Sequence, residues 1–241
     1  MALALPQRDR SAVGALSTQG LVRDEIEELY DYDVVRSLPQ ATALIVRVAE
    51  PVIVLGSTQP RVVIKEELPF EIRRRRGGGG VVLIQPDDLW VDFWIPAGDE
   101  RYRRDVNEQA LGAGAWWATV LRDLRKGDWR IASAEMRGEP AHRVVCFAGS
   151  GPGEVFVDEK KVVGITQWRV REGAFISCVL HRRGSHDLLN FLSSVPDGLG
   201  EAMDHHHGES LGVVGEMDDI ERKLLGTSGG WQRRQLFLTP P

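Results

Sequence analysis

Arg73-Arg74-Arg75-Arg76-Gly77-Gly78-Gly79-Gly80 joins a strand-like run, Phe70-Glu71-Ile72, to a second apolar run, Val81-Val82-Leu83-Ile84. Four glycines remove every Cβ at the joint, so the backbone can take φ > 0 and lie directly against a ligand. The arginines supply planar, permanently charged donors that match carboxylate and phosphate. In an extended chain the side chains alternate, which sends Arg73 and Arg75 one way and Arg74 and Arg76 the other. One pair is then expected at a ligand and the other in solvent. The simplest reading is an anion-binding loop. Spacing alone favours it only narrowly over a solvated strand edge that discourages aggregation or a flexible glycine linker. No Lys-Ser or Lys-Thr follows the glycines, so this is not a P-loop.

The chain as a whole narrows the choice. Its 241 residues carry a net charge of −5 and a pI of about 5.7, which argues against a general nucleic-acid footprint. Hydrophobic content of 42% and charged content of 27% are those of an ordinary globular protein. No stretch approaches the length of a membrane span, and residues 1–10 lack the apolar core of a signal peptide. The two cysteines, Cys146 and Cys178, form neither a disulfide framework nor a Cys-x-x-Cys metal motif. A reduced, cytoplasmic setting is expected, without membrane, nucleic acid or resident metal.

Periodicity then places the elements. Residues 1–20 read as irregular and residues 22–32 as an acidic amphipathic helix. Residues 41–49 and 52–55 read as strands broken by Pro51, and Val62-Val63-Ile64 as a short third. Residues 89–95 alternate, with Leu89, Val91, Phe93 and Ile95 on one face and Trp90, Asp92 and Trp94 on a second face that lines a cleft. Residues 105–126 form the main helix, capped by Asp105 and stopped at Gly127. Residues 144–147 form a strand leading into a Gly/Ser/Pro-rich loop. Three antiparallel strands follow at 154–157, 162–170 and 175–180, joined by short polar hairpins. Helices are expected at 185–192 and 216–225, and a last extended piece at 235–238. The sum is a mixed α/β (α+β) fold with one or two largely antiparallel sheets. It reads as one domain over 1–241, with a core at about 21–192 and a C-terminal extension at 193–241.

Three blocks in order resemble the lipoate-protein ligases and octanoyltransferases of the biotin/lipoate protein ligase superfamily. The run Pro51-Val52-Ile53-Val54-Leu55-Gly56-Ser57-Thr58-Gln59 is similar to the family's strand followed by LGxxQ. Residues 74–82 resemble its ligand loop, RRxSGGGAV, and residues 157–167 its lysine segment, GxKxxGxAQ. Each block alone is weak, but three in order with sensible spacing are specific. The resemblance implies a lipoate/biotin ligase-like catalytic domain. It implies an adenylate site at Arg74, Arg75, Gly77, Gly78, Gly79, Gly80, Gly164 and Gln59, with Lys161 as the essential lysine at the reacting carboxyl. There a fixed positive charge would stabilise the oxyanion that forms as an amine attacks. Lys161, starting a strand after a turn, is expected to project from the rim into a cleft, whereas Lys160 is expected to be a solvated turn residue.

By the same resemblance, the chain would attach lipoate or octanoate, through an acyl-adenylate made with ATP and Mg²⁺, to a lysine of a lipoyl-carrier protein. The implied partners are the lipoyl domains of 2-oxoacid dehydrogenases or the glycine cleavage carrier protein, with no permanently bound cofactor. Biotin is not separated from lipoate by these motifs. Cys146-Phe147-Ala148-Gly149-Ser150-Gly151-Pro152-Gly153-Glu154 resembles the CFxxxSxxE segment of one octanoyltransferase group. That implies an alternative in which Cys146 takes octanoyl from acyl carrier protein as a thioester, aided by Lys161. A small buried side chain is the bland reading of Cys146.

Two departures, Gly77 for the family's serine and Ile84 for its frequent histidine, keep open a non-catalytic binder of acyl-adenylate or carrier. The full accessory domain of many lipoate ligases is not expected in the residues after Leu192. Trp90 and Trp94 either line an acyl tunnel or pack. His181-Arg182-Arg183 reads as a basic strand end, and His205-His206-His207 as a solvated stretch of the Gly-rich tail.

Overall fold

The computed structural model describes residues 26–133, 143–182, 186–206, 217–227 and 229–238. Its frame is a seven-stranded sheet in the order β10-β1-β5-β9-β8-β7-β6. The strands are β1 (Thr42–Val48), β5 (Leu89–Pro96), β6 (Trp129–Ile131), β7 (Val155–Val157), β8 (Lys160–Val170), β9 (Gly173–Leu180) and β10 (Gln232–Leu238). All its pairings are antiparallel except β1 with β10, which is parallel. A three-stranded sheet of β3 (Glu71–Arg74), β2 (Val52–Leu55) and β4 (Val82–Ile84) lies apart from it.

The period-2 pattern divides the large sheet between two cores. Ala43, Ile45, Val91, Phe93, Ile95, Ile176 and Cys178 face α2 (Val106–Leu124) and α4 (Met217–Thr227). Leu44, Val46, Trp90, Trp94, Phe175 and Val179 face the small sheet, α1 (Tyr32–Arg36) and α3 (Leu199–His206). Strand β5 is therefore buried on both faces. The mixed face that the sequence assigns to a cleft is covered, with Trp90 and Trp94 packed at 2% and 1% exposure.

Asp105 caps α2 as expected, its carboxylate accepting the Glu108 N–H at 2.9 Å. The helix ends before Gly127 because Arg125 is already extended. Gly127 serves instead for close approach, since a Cβ there would lie 2.5 Å from Val157 Cγ2.

Several local expectations are corrected. Residues 26–31 are not helical, and residues 22–25 of the expected helix lie outside the described residues: Leu29 N–H bonds Arg74 O and Arg74 N–H bonds Glu27 O, so Glu28 bridges to β3. Arg61–Val63 is a 3₁₀ turn rather than a strand, and so is Cys146–Ala148. Over 185–192 the described helix is the 3₁₀ segment His186–Phe191. These short β-branched or apolar runs make single bridges, Ile64 with Leu192 and Val81 with Val145, and no ladder, and Val62 is left 75% exposed. His205 and His206 end the helix α3 rather than lying in a loop. His207, Arg183, Ser185 and residues 1–20 lie outside the described residues. Among the described residues no helix is long and apolar enough to cross a membrane.

Candidate active site between the two sheets

The loop from β3 to β4 is built by its own arginines. Arg75 is buried at 1% exposure. Its Nε and Nη2 donate to Gly78 O at 3.2 and 2.9 Å, its Nη2 to Gly80 O at 2.6 Å, and its Nη1 to Val54 O at 3.2 Å. Burial draws its pKa below the ordinary guanidinium value. Arg74 Nη1 donates to Gly56 O and Gln59 O at 2.9 and 2.7 Å. Arg73 pairs with Glu27 and Glu71. Arg76 grips Glu28 and Asp33 and lies over the Tyr32 and Trp168 rings. The expected division into a ligand pair and a solvated pair is thus not what forms. All four guanidinium groups meet acceptors of the chain itself, because carbonyls and carboxylates lie within reach on both sides of the strand.

Glycine is required here by crowding. A Cβ at Gly80 would lie 2.5 Å from Val145 C and 2.6 Å from Cys146 N, and one at Gly77 would lie 2.9 Å from Thr166 Cγ2. Gly79 has φ +90°, and its carbonyl oxygen would stand 2.0 Å from a Cβ at Gly56. Gly78 alone of the four has open space at its Cβ position. Gln59 staples the turn, accepting the Gly56 N–H at 3.0 Å and donating to Val144 O at 2.9 Å.

Lys161 comes from the hairpin β7–β8, whose two-residue turn Asp158-Glu159 has both φ values positive, as a tight hairpin demands. Instead of projecting from a rim it is enclosed, its side chain 1% exposed against 5% for Glu154. Its ammonium lies 2.6 Å from Glu154 Oε1. It also donates to Cys146 O at 2.6 Å and Gly149 O at 3.2 Å, and sits over the Phe147 ring. Three N–H donors meet three acceptors. The Glu154 carboxylate also accepts the Gly151 N–H at 2.7 Å and the Ile165 N–H at 3.5 Å. Burial pushes the Glu154 pKa up, and the Lys161 charge with these N–H bonds pulls it back. Lys160 is half-buried and donates to Asp204 O.

Cys146 shares this corner. It is half-buried, and its Sγ lies 3.4 Å from the position of a Cβ at Gly164. The lysine bonds its carbonyl oxygen. Cys178 faces the helices from β9, where burial drives its thiol pKa well up. Ile84, at the family's histidine position, is 1% exposed on β4 and paired with Val52.

Sequence reading did not assign three residues that matter here. Glu154 closes the CFxxxSxxE segment, which was its available signal. Thr166 donates from its hydroxyl to Gly78 O at 3.0 Å. Asp92 is fully buried between the sheets, accepting from Tyr30 Oη at 2.5 Å and Trp90 Nε1 at 2.6 Å. Desolvation raises its pKa to about 6 against the pull of those hydrogen bonds. Nearby, Asp88 and His181 form a second buried pair at 2.8 Å.

Residues 28–201 match the family model described as the lipoyl protein ligase A/B catalytic domain. No curated protein matches the sequence. Among solved structures, the T. acidophilum protein Ta0514 with bound lipoic acid, put forward as a lipoate protein ligase, has a TM-score of 0.63 at 15% identity. That match covers 84% of this chain and 80% of that one. A bipartite lipoate protein ligase of Thermoplasma acidophilum, studied with its E2 lipoyl domain, gives 0.61 at 16% identity over 84% and 78%. A lipoate-protein ligase A bound with ATP gives 0.60 at 15% identity over 81% and 76%. At these identities the likeness is one of fold.

Proposed function

The chain belongs to the lipoyl protein ligase A/B catalytic domain family, and on that premise we propose that it attaches a lipoyl or octanoyl group to a lysine of a lipoyl-carrier domain. The acyl carboxylate would attack the α-phosphorus of ATP and displace pyrophosphate. The carrier amine would then attack the acyl carbonyl, expelling AMP and losing a proton. The observation that carries this reading is the enclosed Lys161 beside the glycine loop. A charge held dry and fixed acts on a developing oxyanion far more strongly than one in water. Exchange of one of its three acceptors for a ligand oxygen would bring that charge to the reacting carboxyl, with Glu154 retaining the remaining geometry. Gly78, at the open point of the loop, would lie against the ligand, while Arg75, Arg74 and Gln59 hold the surrounding backbone.

The lipoic acid, ATP and E2 lipoyl domain named with the similar structures support these as substrate, nucleotide and partner class. Mg²⁺ would arrive on the ATP phosphates, where it neutralises charge. Among the described residues no group of three His, Cys, Asp or Glu is arranged to hold it alone. A cytoplasmic setting belongs to the same proposal.

The half-buried Cys146 favours one second reading, transfer of octanoyl from acyl carrier protein through a Cys146 thioester without ATP. Intact mass of a lipoyl domain separates the two. One reaction holds lipoate or octanoate with ATP and Mg²⁺, the other octanoyl acyl carrier protein alone. A mass gain in the first alone is expected. A gain in the second alone, lost in Cys146→Ser, would establish the thioester route. Silence in both, with biotin and several carriers tried, would leave a binding protein.

A further inference from the structure

The family pattern carries serine at the position of Gly77 and alanine at the position of Thr166, so this chain differs at both. The two positions face each other across one small space. A Cβ at Gly77 would lie 2.9 Å from Thr166 Cγ2, 3.1 Å from its Oγ1 and 3.6 Å from its Cβ. At the first of these distances something must shift, so a serine at 77 would displace the Thr166 side chain from the place it holds. Glycine at 77 leaves that space to the Thr166 side chain.

We propose that the Thr166 hydroxyl replaces the missing loop serine and latches the glycine loop onto β8, setting the loop's position over the acyl-adenylate. The latched atom is Gly78 O, which Thr166 reaches at 3.0 Å. Arg75 donates to the same oxygen through Nε and Nη2 at 3.2 and 2.9 Å. Arg75 ties that carbonyl to the small sheet's side, and Thr166 ties it to the large sheet. Gly78 is also the loop glycine with open space at its Cβ position, so the fixed peptide is the one next to any ligand. Threonine suits the task because its branched Cβ restricts χ1 and so fixes where the hydroxyl points. The apparent loss at Gly77 is therefore a transfer of the polar group to the facing strand, and Thr166 is a positioning residue. The ligand half of this inference rests on the acyl-adenylate reading above.

Hydrogen exchange at the Gly77–Gly80 amides tests the latch without any ligand, and calorimetric binding of an acyl-sulfamoyl adenosine tests its consequence. Thr166→Ala should speed loop exchange at least ~10-fold and weaken the mimic about 10-fold by loss of an ordered hydrogen bond. Thr166→Ser should restore most of both. Gly77→Ser should be worse than Thr166→Ala, and the double variant Gly77→Ser/Thr166→Ala should recover toward wild type. Unchanged loop exchange in Thr166→Ala, or a double variant no better than Gly77→Ser, would overturn the latch. If wild type and all variants fail to bind the mimic while loop exchange follows the stated order, the latch stands and the acyl-adenylate reading falls.

Discussion

The buried pair of Lys161 and Glu154 has two roles that mutation can separate. Enclosed charges are costly to desolvate, and removal of one partner leaves the other uncompensated, typically for about 3–5 kcal/mol. Glu154→Leu should therefore lower the unfolding free energy by about that amount. Replacing both partners by apolar groups is often near neutral, so Glu154→Leu/Lys161→Met should regain most of the stability seen in urea melts. Acyl transfer should stay absent in the double variant. Recovery of transfer with stability would show that Lys161 only holds the fold. Asp92 makes the complementary case, because its folded pKa of about 6 lies above the ordinary 3.8. A carboxyl raised on folding contributes stability that is fully present below its unfolded pKa and is lost as pH rises through its folded pKa. The window is therefore pH 4 to 6, and the loss is about 3 kcal/mol. Asp92→Asn, which still accepts from Trp90, should erase that part of the slope. The stability difference between this variant and wild type should move in the variant's favour from pH 4 to pH 7. Parallel pH profiles for the two proteins would refute this burial account.

At the level of elements, the β7–β8 hairpin carries both Lys161 and Thr166 into the site, and its turn is strained. Glu159 has φ +64° where the family pattern carries glycine, and its ion pair with Arg130 is long, at 3.7 Å and well exposed. The left-handed region costs a non-glycine residue roughly 1–2 kcal/mol, against roughly 0.4–1 kcal/mol for the freedom that glycine adds to the unfolded chain. Glu159→Gly should therefore raise stability by about 0.5 kcal/mol, read as a shifted urea midpoint with an unchanged slope. A fall in midpoint would mean that the side chain holds the hairpin more than its backbone strains it. Elements also mark where sequence reading succeeded. The alternation in β5 and the 3.6 period of α2 were legible because long elements repeat their signal, and β8 and β9 showed as long runs between short polar hairpins. Val62-Val63-Ile64 and residues 144–147 were not legible, since three or four apolar residues satisfy a strand, a 3₁₀ turn or a single bridge equally.

Over the whole molecule, the residues after Leu192 complete the layers rather than trail from them. Strand β10 closes the large sheet beside β1, and Ile220, Leu224 and Leu225 of α4 lie in the core shared with α2. Arg47 on β1 fastens α4 through Glu221 at 2.6 Å and Asp218 at 2.8 Å. By itself the sequence determined the mixed, largely antiparallel architecture, the glycine loop and its family, and the order of the three motif blocks. Those properties follow from local periodicity and from residue types with few conformational substitutes. Only the tertiary structure decided that Arg75 turns inward to build the loop and that Glu154 meets Lys161. It also decided that the Thr166 hydroxyl meets Gly78 O, and that β5 is covered on both faces. Each of these depends on which distant segment lies within a few ångströms, a distance set by how two sheets pack and not by any spacing along the chain.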